Sequence, residues 1–194
     1  MDLQELKRLA DDPIWDQGST SNIYSFPLPN DRNYIKLAKH LRMGIPKDQL
    51  FCLGFYLATK SPSSHVGPFK WAIDFLVPDG TEILAAYDGQ IIEAIDHFNE
   101  WGTTEDFRDK LNYLTIRHHQ GEYSQYCHLG LNSFQNTGLK VGDYVTRGQA
   151  IGRVGKTGWT DQDHLHFIVF KVGRIPGNPY DFYSLSIQFT KNKY

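Results

Sequence analysis

The chain has 194 residues, 40% of them hydrophobic and 22% charged, with a formal net charge of -2. That length buries one sizeable core, and the near-balanced charge offers no cluster of Lys and Arg for phosphates, which argues against a nucleic-acid partner. Two cysteines, Cys52 and Cys127, are too few for a disulfide scaffold and are read as free thiols.

Taken in chain order, Leu3, Leu6, Leu9 and Ala10 share one helical face and Pro13 ends the pattern, which predicts a short amphipathic helix. The opening "MDLQELKRLADDPIWDQG" has no apolar core behind a basic head, so no secretory signal is expected in it. The stretch "SFPLPNDRN" is turn chemistry, and "YIKLAKHLRMG" predicts a second helix ending at Gly44 before Pro46. The longest apolar run, "LFCLGFYLA" from Leu50, is far shorter than the ~20 residues of a membrane span. From there on, short runs of Ile, Val, Phe and Tyr alternate with Gly, Asp and Asn, the pattern of a β domain. The expected organisation is a helical extension over residues 1–46 and a β domain over 47–194. Two stretches, "DGTEILAAYDGQIIEA" and "VGDYVTRGQAIGRVG", share a rhythm of Gly-bearing turns and short apolar strands, which predicts related units folded against each other.

The chemistry-bearing residues are four histidines and one aspartate. If "HLHFIVF" is a strand, its period of two puts His164, His166 and Ile168 on one face and Leu165, Phe167 and Val169 on the other. The two imidazoles then stand side by side, about 6 to 7 Å apart at the backbone, close enough to reach one small volume. Asp74 interrupts the apolar strand "WAIDFLV", so its carboxylate must be ion-paired or bound to a cation. His65, before a Gly-Pro loop, reads either as a surface residue or as a third member of this group. His128 ends the alternating strand "YSQYCHL", which predicts Tyr126 and His128 on one face and Cys127 and Leu129 on the other. Two imidazoles and a carboxylate with an open fourth position suit a catalytic zinc site, whereas two distant cysteines cannot form a thiolate cage. No H-E-x-x-H helix is present, so the helical metalloprotease plan is absent.

The blocks "SHVGPFKWAIDFLVPDGTEILAAYDGQI", "NYLTIRHHQGEYSQYCHLG", "VGDYVTRGQAIGRVGKTG" and "DHLHFIVF", in this order, resemble the lysostaphin-type or LytM-type zinc metallopeptidases, also called duplicated-hybrid-motif peptidases. The resemblance runs from about Ser64 to Phe170. It implies a mainly β fold, a duplicated-hybrid-motif antiparallel sheet or sandwich, with the helical extension ahead of it. It also implies one zinc ion per chain, held by His65, Asp74 and His166, with His128 and His164 as the catalytic pair. The first ligand usually precedes the aspartate by four residues, where this chain has Lys70, and a His further upstream in an "SH" pair fits a subgroup. The segment "WTDQD" also lacks the Gly-Pro pair often found before the H-x-H.

The implied function is a zinc metalloendopeptidase that cuts peptide bonds in bacterial peptidoglycan cross-links or bridges, working in the periplasm, the cell envelope or outside the cell. The implied partner is a peptidoglycan peptide, and Trp159, Tyr123 and Tyr126 are candidates to line its groove. Residues 1–46 are expected to pack against the β domain, the alternative being a latency segment over the metal. Two rival readings are a catalytically silent relative that binds or regulates cell-wall hydrolases, and a carrier domain of the lipoyl kind, whose half-barrel "VGDYVTRGQAIG" resembles. The carrier reading lacks a modifiable Lys at a hairpin tip.

Overall fold

The computed structural model describes residues 3–31, 33–41, 44–61, 64–175 and 180–190. Two helices open the chain, α1 (Leu3–Asp11) and α2 (Tyr34–Leu41). The side chains of Leu3 and Leu6, on which the predicted face of α1 rests, lie outside the described ones, as do the two residues between Leu41 and Gly44. Asp12 caps the turn that follows α1 by accepting from the Ile14 N–H, with Pro13 in the first position, where its missing N–H costs nothing.

The rest is β structure: β1 (Leu50–Leu53), β2 (Tyr56–Thr59), β3 (Ile73–Phe75), β4 (Glu82–Leu84), β5 (Gly89–Ile95), β6 (Trp101–Gly102), β7 (Tyr113–Arg117), β8 (Tyr123–Cys127), β9 (Tyr144–Val145), β10 (Ala150–Arg153), β11 (Gly158–Trp159), β12 (Leu165–Val172) and β13 (Phe182–Ser184). The main sheet runs in the order β1-β2-β3-β12-β8-β7-β5-β9, with β13 also paired to β12. All of its pairings are antiparallel. The two stretches of shared rhythm do fold against each other: β4 pairs with β10, and β5 pairs with β9.

The period of two in these strands sorts the side chains. Ala58, Phe75, Leu165, Phe167, Tyr126 and Leu114 occupy one face and are fully buried in the core. The opposite face carries a single row across five strands: Thr59 on β2, Asp74 on β3, His166 on β12, Cys127 on β8 and Tyr113 on β7. Directly opposed residues have Cβ atoms only about 5 Å apart, so the register itself brings Asp74 beside His166.

The segment before β1 shares this core. Tyr24 and Leu28 are buried in the same cluster as the sheet residues, and Ser19 and Tyr24 bridge to Ser186 and Phe189. The fully buried Glu122 carboxylate accepts from the backbone N–H groups of Ser21 and Asn22, from the Asn22 side chain and from the Tyr24 hydroxyl. Burial and the neighbouring Glu122 together push the Tyr24 phenol well above its ordinary pKa. No described helix is long and apolar enough to cross a membrane.

Candidate metal centre and groove

Four chain segments deliver the candidate residues to one place. Asp74 and His166 arrive by strand register, as above. His164 stands one residue before β12, and its Nδ1–H donates to the Gln162 carbonyl at 3.0 Å. His65 lies in the loop between β2 and β3, where its N–H donates to the Ser61 carbonyl and Gly67 takes a left-handed turn at φ 59°. That loop is not on the surface, since Trp15 and Leu9 of the first segment pack beneath Gly67 and the His65 side chain is only 1% exposed.

His128 departs from the strand pattern. Its φ of 64° is left-handed, a conformation uncommon outside glycine, and it ends β8 by turning the chain. The ring therefore joins Cys127 on the groove side, whereas Tyr126 stays in the core. The alternation that put Tyr126 and His128 on one face is corrected here, because the period of two holds only while φ stays extended. Tyr126 is no groove residue either: its hydroxyl accepts from the Ala86 N–H inside the core. Tyr123 stacks on Phe170, away from the groove lining. Trp159 does line the groove, and 47% of it is exposed.

Asp74 Oδ1 is the centre of the arrangement. His166 Nδ1 lies 2.9 Å from it and hydrogen-bonds to it, His65 Nε2 lies at 3.1 Å, and His164 Nε2 at 3.6 Å. One ligand atom from each of His65, Asp74 and His166 can be chosen so that all lie within 4.8 Å of one another. Neither ring nitrogen of His65 has an aligned hydrogen-bond partner, although both are buried. The rings of His65 and His166 meet edge to face at 5.1 Å, and those of His128 and His164 lie 4.5 Å apart. Lys70 points elsewhere: its ammonium pairs with Asp16 at 3.0 Å.

Electrostatics sort these groups by state. Burial alone would raise the Asp74 pKa, but the surrounding His65 and His164 and the hydrogen bond from His166 outweigh it and hold the carboxyl well below its ordinary value. Burial lowers the pKa of His166 and, helped by the nearby His164, that of His128 to about 3. His128 is therefore neutral, and its Nδ1–H donates to the Thr157 carbonyl at 2.7 Å, which leaves the Nε2 lone pair free. Burial also keeps the Cys127 thiol protonated.

Backbone placement of Thr157 depends on a tight crossing. The Gly155 N–H donates to the His128 carbonyl, Thr157 Oγ1 bridges the Asn112 N–H and the Leu129 carbonyl, and a Cβ on Gly155 would come within 2.4 Å of Gly130 Cα. The carbonyls of Thr157 and Gln162, which set the tautomers of His128 and His164, carry no side-chain signature and are invisible in the sequence.

All of this opens into a groove of about 540 Å³ whose walls include Ile45, Pro46, Phe69, Leu111, Gln125 and Trp159. His65, Asp74 and His166 form a donor set suited to a divalent metal ion beside this open groove.

Residues 68–179 match the family described as Peptidase family M23. The stretch is similar to the peptidoglycan DD-endopeptidase ShyC of Vibrio cholerae, 35% identical over 106 residues, covering 55% of this chain and 21% of that protein. It is also similar to lysostaphin of Staphylococcus simulans, 33% identical over 102 residues, covering 52% of this chain and 18% of that one. The chain thus spans about a fifth of the length of these relatives. The solved catalytic domain of Staphylococcus simulans lysostaphin aligns with a TM-score of 0.39 at 32% identity, over 51% of this chain and 65% of that one. The family match takes in Asp74, His128, His164 and His166, begins three residues after His65 and covers more than half of the sequence. The chain belongs to peptidase family M23.

Proposed function

We propose that the chain is a zinc metalloendopeptidase that hydrolyses peptide bonds in the cross-links or bridges of bacterial peptidoglycan, with one zinc ion per chain. The observation that carries this reading is the convergence of three imidazole nitrogens on Asp74 Oδ1 in the wall of an open groove. The name of the Vibrio relative supports the substrate class.

Zinc fits the donor set. His65 Nε2, Asp74 Oδ1 and His166 Nδ1 would hold it, two neutral imidazoles and a carboxylate with room for a fourth ligand. Metal ligands must be deprotonated, and Asp74 is ionised while burial disfavours the charged form of His166. His65 Nε2 is buried without an aligned hydrogen bond and faces the Asp74 carboxylate at 3.1 Å, a cost that a cation held between them offsets. When bound, zinc lowers the pKa of a coordinated water toward ~7 and polarises a substrate carbonyl.

The remaining work falls to the side chains. His128 and His164 each commit Nδ1–H to a backbone carbonyl; neutral His128 presents a lone pair on Nε2, and His164 turns Nε2 toward Asp74 Oδ1 at 3.6 Å. One of them takes the proton of the attacking water, and the pair returns a proton to the leaving amine. Fixed tautomers remove the need to reorient the rings during the reaction. Ile45, Phe69, Leu111 and Trp159 give the groove apolar walls against which an extended peptide would lie.

The test is incubation of the purified protein with intact sacculi, with and without chelator, followed by mass analysis of released peptides. Zinc-dependent release is expected. His128→Ala and His164→Ala are each expected to keep one zinc per chain and to lose release by about a hundredfold or more. Zinc at one equivalent without any peptide release would leave the silent, regulatory reading instead.

A further inference from the structure

A second depression, of about 470 Å³, adjoins the groove and is used by nothing above. It is lined by Asp79, Asn99, Trp101, Leu131, Lys156 and Thr157, among others. The partition between the two is the parallel pair of β6 and β11, in which Trp101 lies opposite Gly158 and Trp159 opposite Gly102. Paired residues share a face and neighbours alternate, so the two indoles point to opposite sides, Trp159 into the groove and Trp101 into the second depression.

This partition is rigid. A Cβ on Gly102 would come within 2.2 Å of the Phe107 ring, and Gly158, at φ 82°, packs against Leu111. The Trp159 Nε1–H donates to the Thr103 carbonyl. Lys156 lies 3.8 Å from the Trp101 ring centre and fixes that indole, yet 45% of Trp101 and 45% of Leu131 stay exposed. Two large apolar side chains held open beside a carboxylate, a carboxamide and an ammonium form an amphipathic surface. The Lys156 ammonium pairs with Asp163 at 3.7 Å and donates to the Asp161 carbonyl at 3.3 Å, so beside Asp79 the surface carries no surplus of positive charge, which disfavours polyanions such as nucleic acid or acidic lipid.

We propose that this depression is a glycan subsite that takes a neutral N-acetylated hexosamine ring, with the C–H face of the sugar on the exposed part of Trp101 and its hydroxyl and acetamido groups on Asp79 and Asn99. The inference rests on the peptidoglycan reading for its biological substrate: Thr157 lines the subsite while its carbonyl holds His128, so a glycan strand seated there lies one chain segment from the groove that would cut its peptides.

Two measurements test it. Titration with a β-1,4-linked N-acetylglucosamine tetramer is expected to change tryptophan fluorescence saturably, with a glucose tetramer binding more weakly. Trp101→Ala is expected to weaken tetramer binding about tenfold and Asn99→Ala by a smaller factor, at unchanged melting temperature, the scale expected for losing one buried aromatic face. In the second, Trp101→Ala is expected to release peptides about tenfold more slowly from sacculi and to cut a soluble, glycan-free cross-linked peptide at the wild-type rate. Absence of tetramer binding, equal binding by Trp101→Ala, or equal losses on both substrates would overturn the subsite. Tetramer binding in a protein that cuts neither substrate would keep the subsite and overturn the peptidase reading.

Discussion

At the scale of single residues, His128 shows how far a local pattern carries. Its identity and its place at the end of an alternating run are legible in the sequence, but the left-handed φ that turns its ring away from Tyr126 is not. The alternation is a property of extended backbone, and one left-handed residue ends it at a cost of about 1–2 kcal/mol. The same residue makes a pH prediction. His128 and His166 are held below the ordinary imidazole value of 6.5, His128 at about 3. The unfolded chain therefore binds protons that the folded chain refuses. Stability from this source is present above about pH 6.5 and is lost as the pH falls toward 3. The melting temperature of chelator-treated protein is expected to drop between about pH 7 and pH 5, and His128→Gln, which cannot take up that proton, to flatten part of the slope. An unchanged slope in that variant would place the titration on other groups.

Between elements, the decisive contact is the crossing of the segments around Gly130 and Gly155. The glycines in "HLG" and "RVGKTG" read in the sequence only as turn punctuation; their role in seating the Thr157 carbonyl on His128 requires both segments in space. Gly155→Ala would push a methyl group to within 2.4 Å of backbone that cannot rotate aside. It is expected to cost about 1–3 kcal/mol in denaturant unfolding. Displacement of the His128 carbonyl partner is expected to slow peptide release by at least about tenfold. Gly130→Ala is the control for stability, since its Cβ would meet nothing closer than 3.7 Å and should change the unfolding free energy little. The strand faces themselves were legible: the alternation in "HLHFIVF" gives Leu165, Phe167 and Val169 to the core, as found. The pairing of the two Gly-punctuated stretches was legible too, because their matched rhythm supplies strands of compatible length.

For the whole molecule, the first segment contributes to the same core as the sheet. Tyr24 and Leu28 sit among its buried residues, four donors from residues 21–24 satisfy Glu122, and Ile45 and Pro46 form part of the groove wall. A chain beginning at Lys47 would leave the buried Glu122 carboxylate without these partners and open apolar surface, each a loss of about 1–3 kcal/mol or more. It is expected to lose its cooperative thermal transition and its peptide release together; a stable, more active product would instead mark the segment as a cover. The β character, the order of the four blocks and the identity of the chemistry-bearing side chains can be read from the order of residues, because strand periodicity and residue type are local properties. It takes the folded chain to show that His65 comes from a buried loop to meet a carboxylate nine residues away, that Lys70 turns to Asp16, and that backbone carbonyls hold Nδ1 of two histidines. Those outcomes depend on register, on one left-handed residue and on glycine crossings, which bring distant segments within hydrogen-bonding reach and leave no mark in the order of residues.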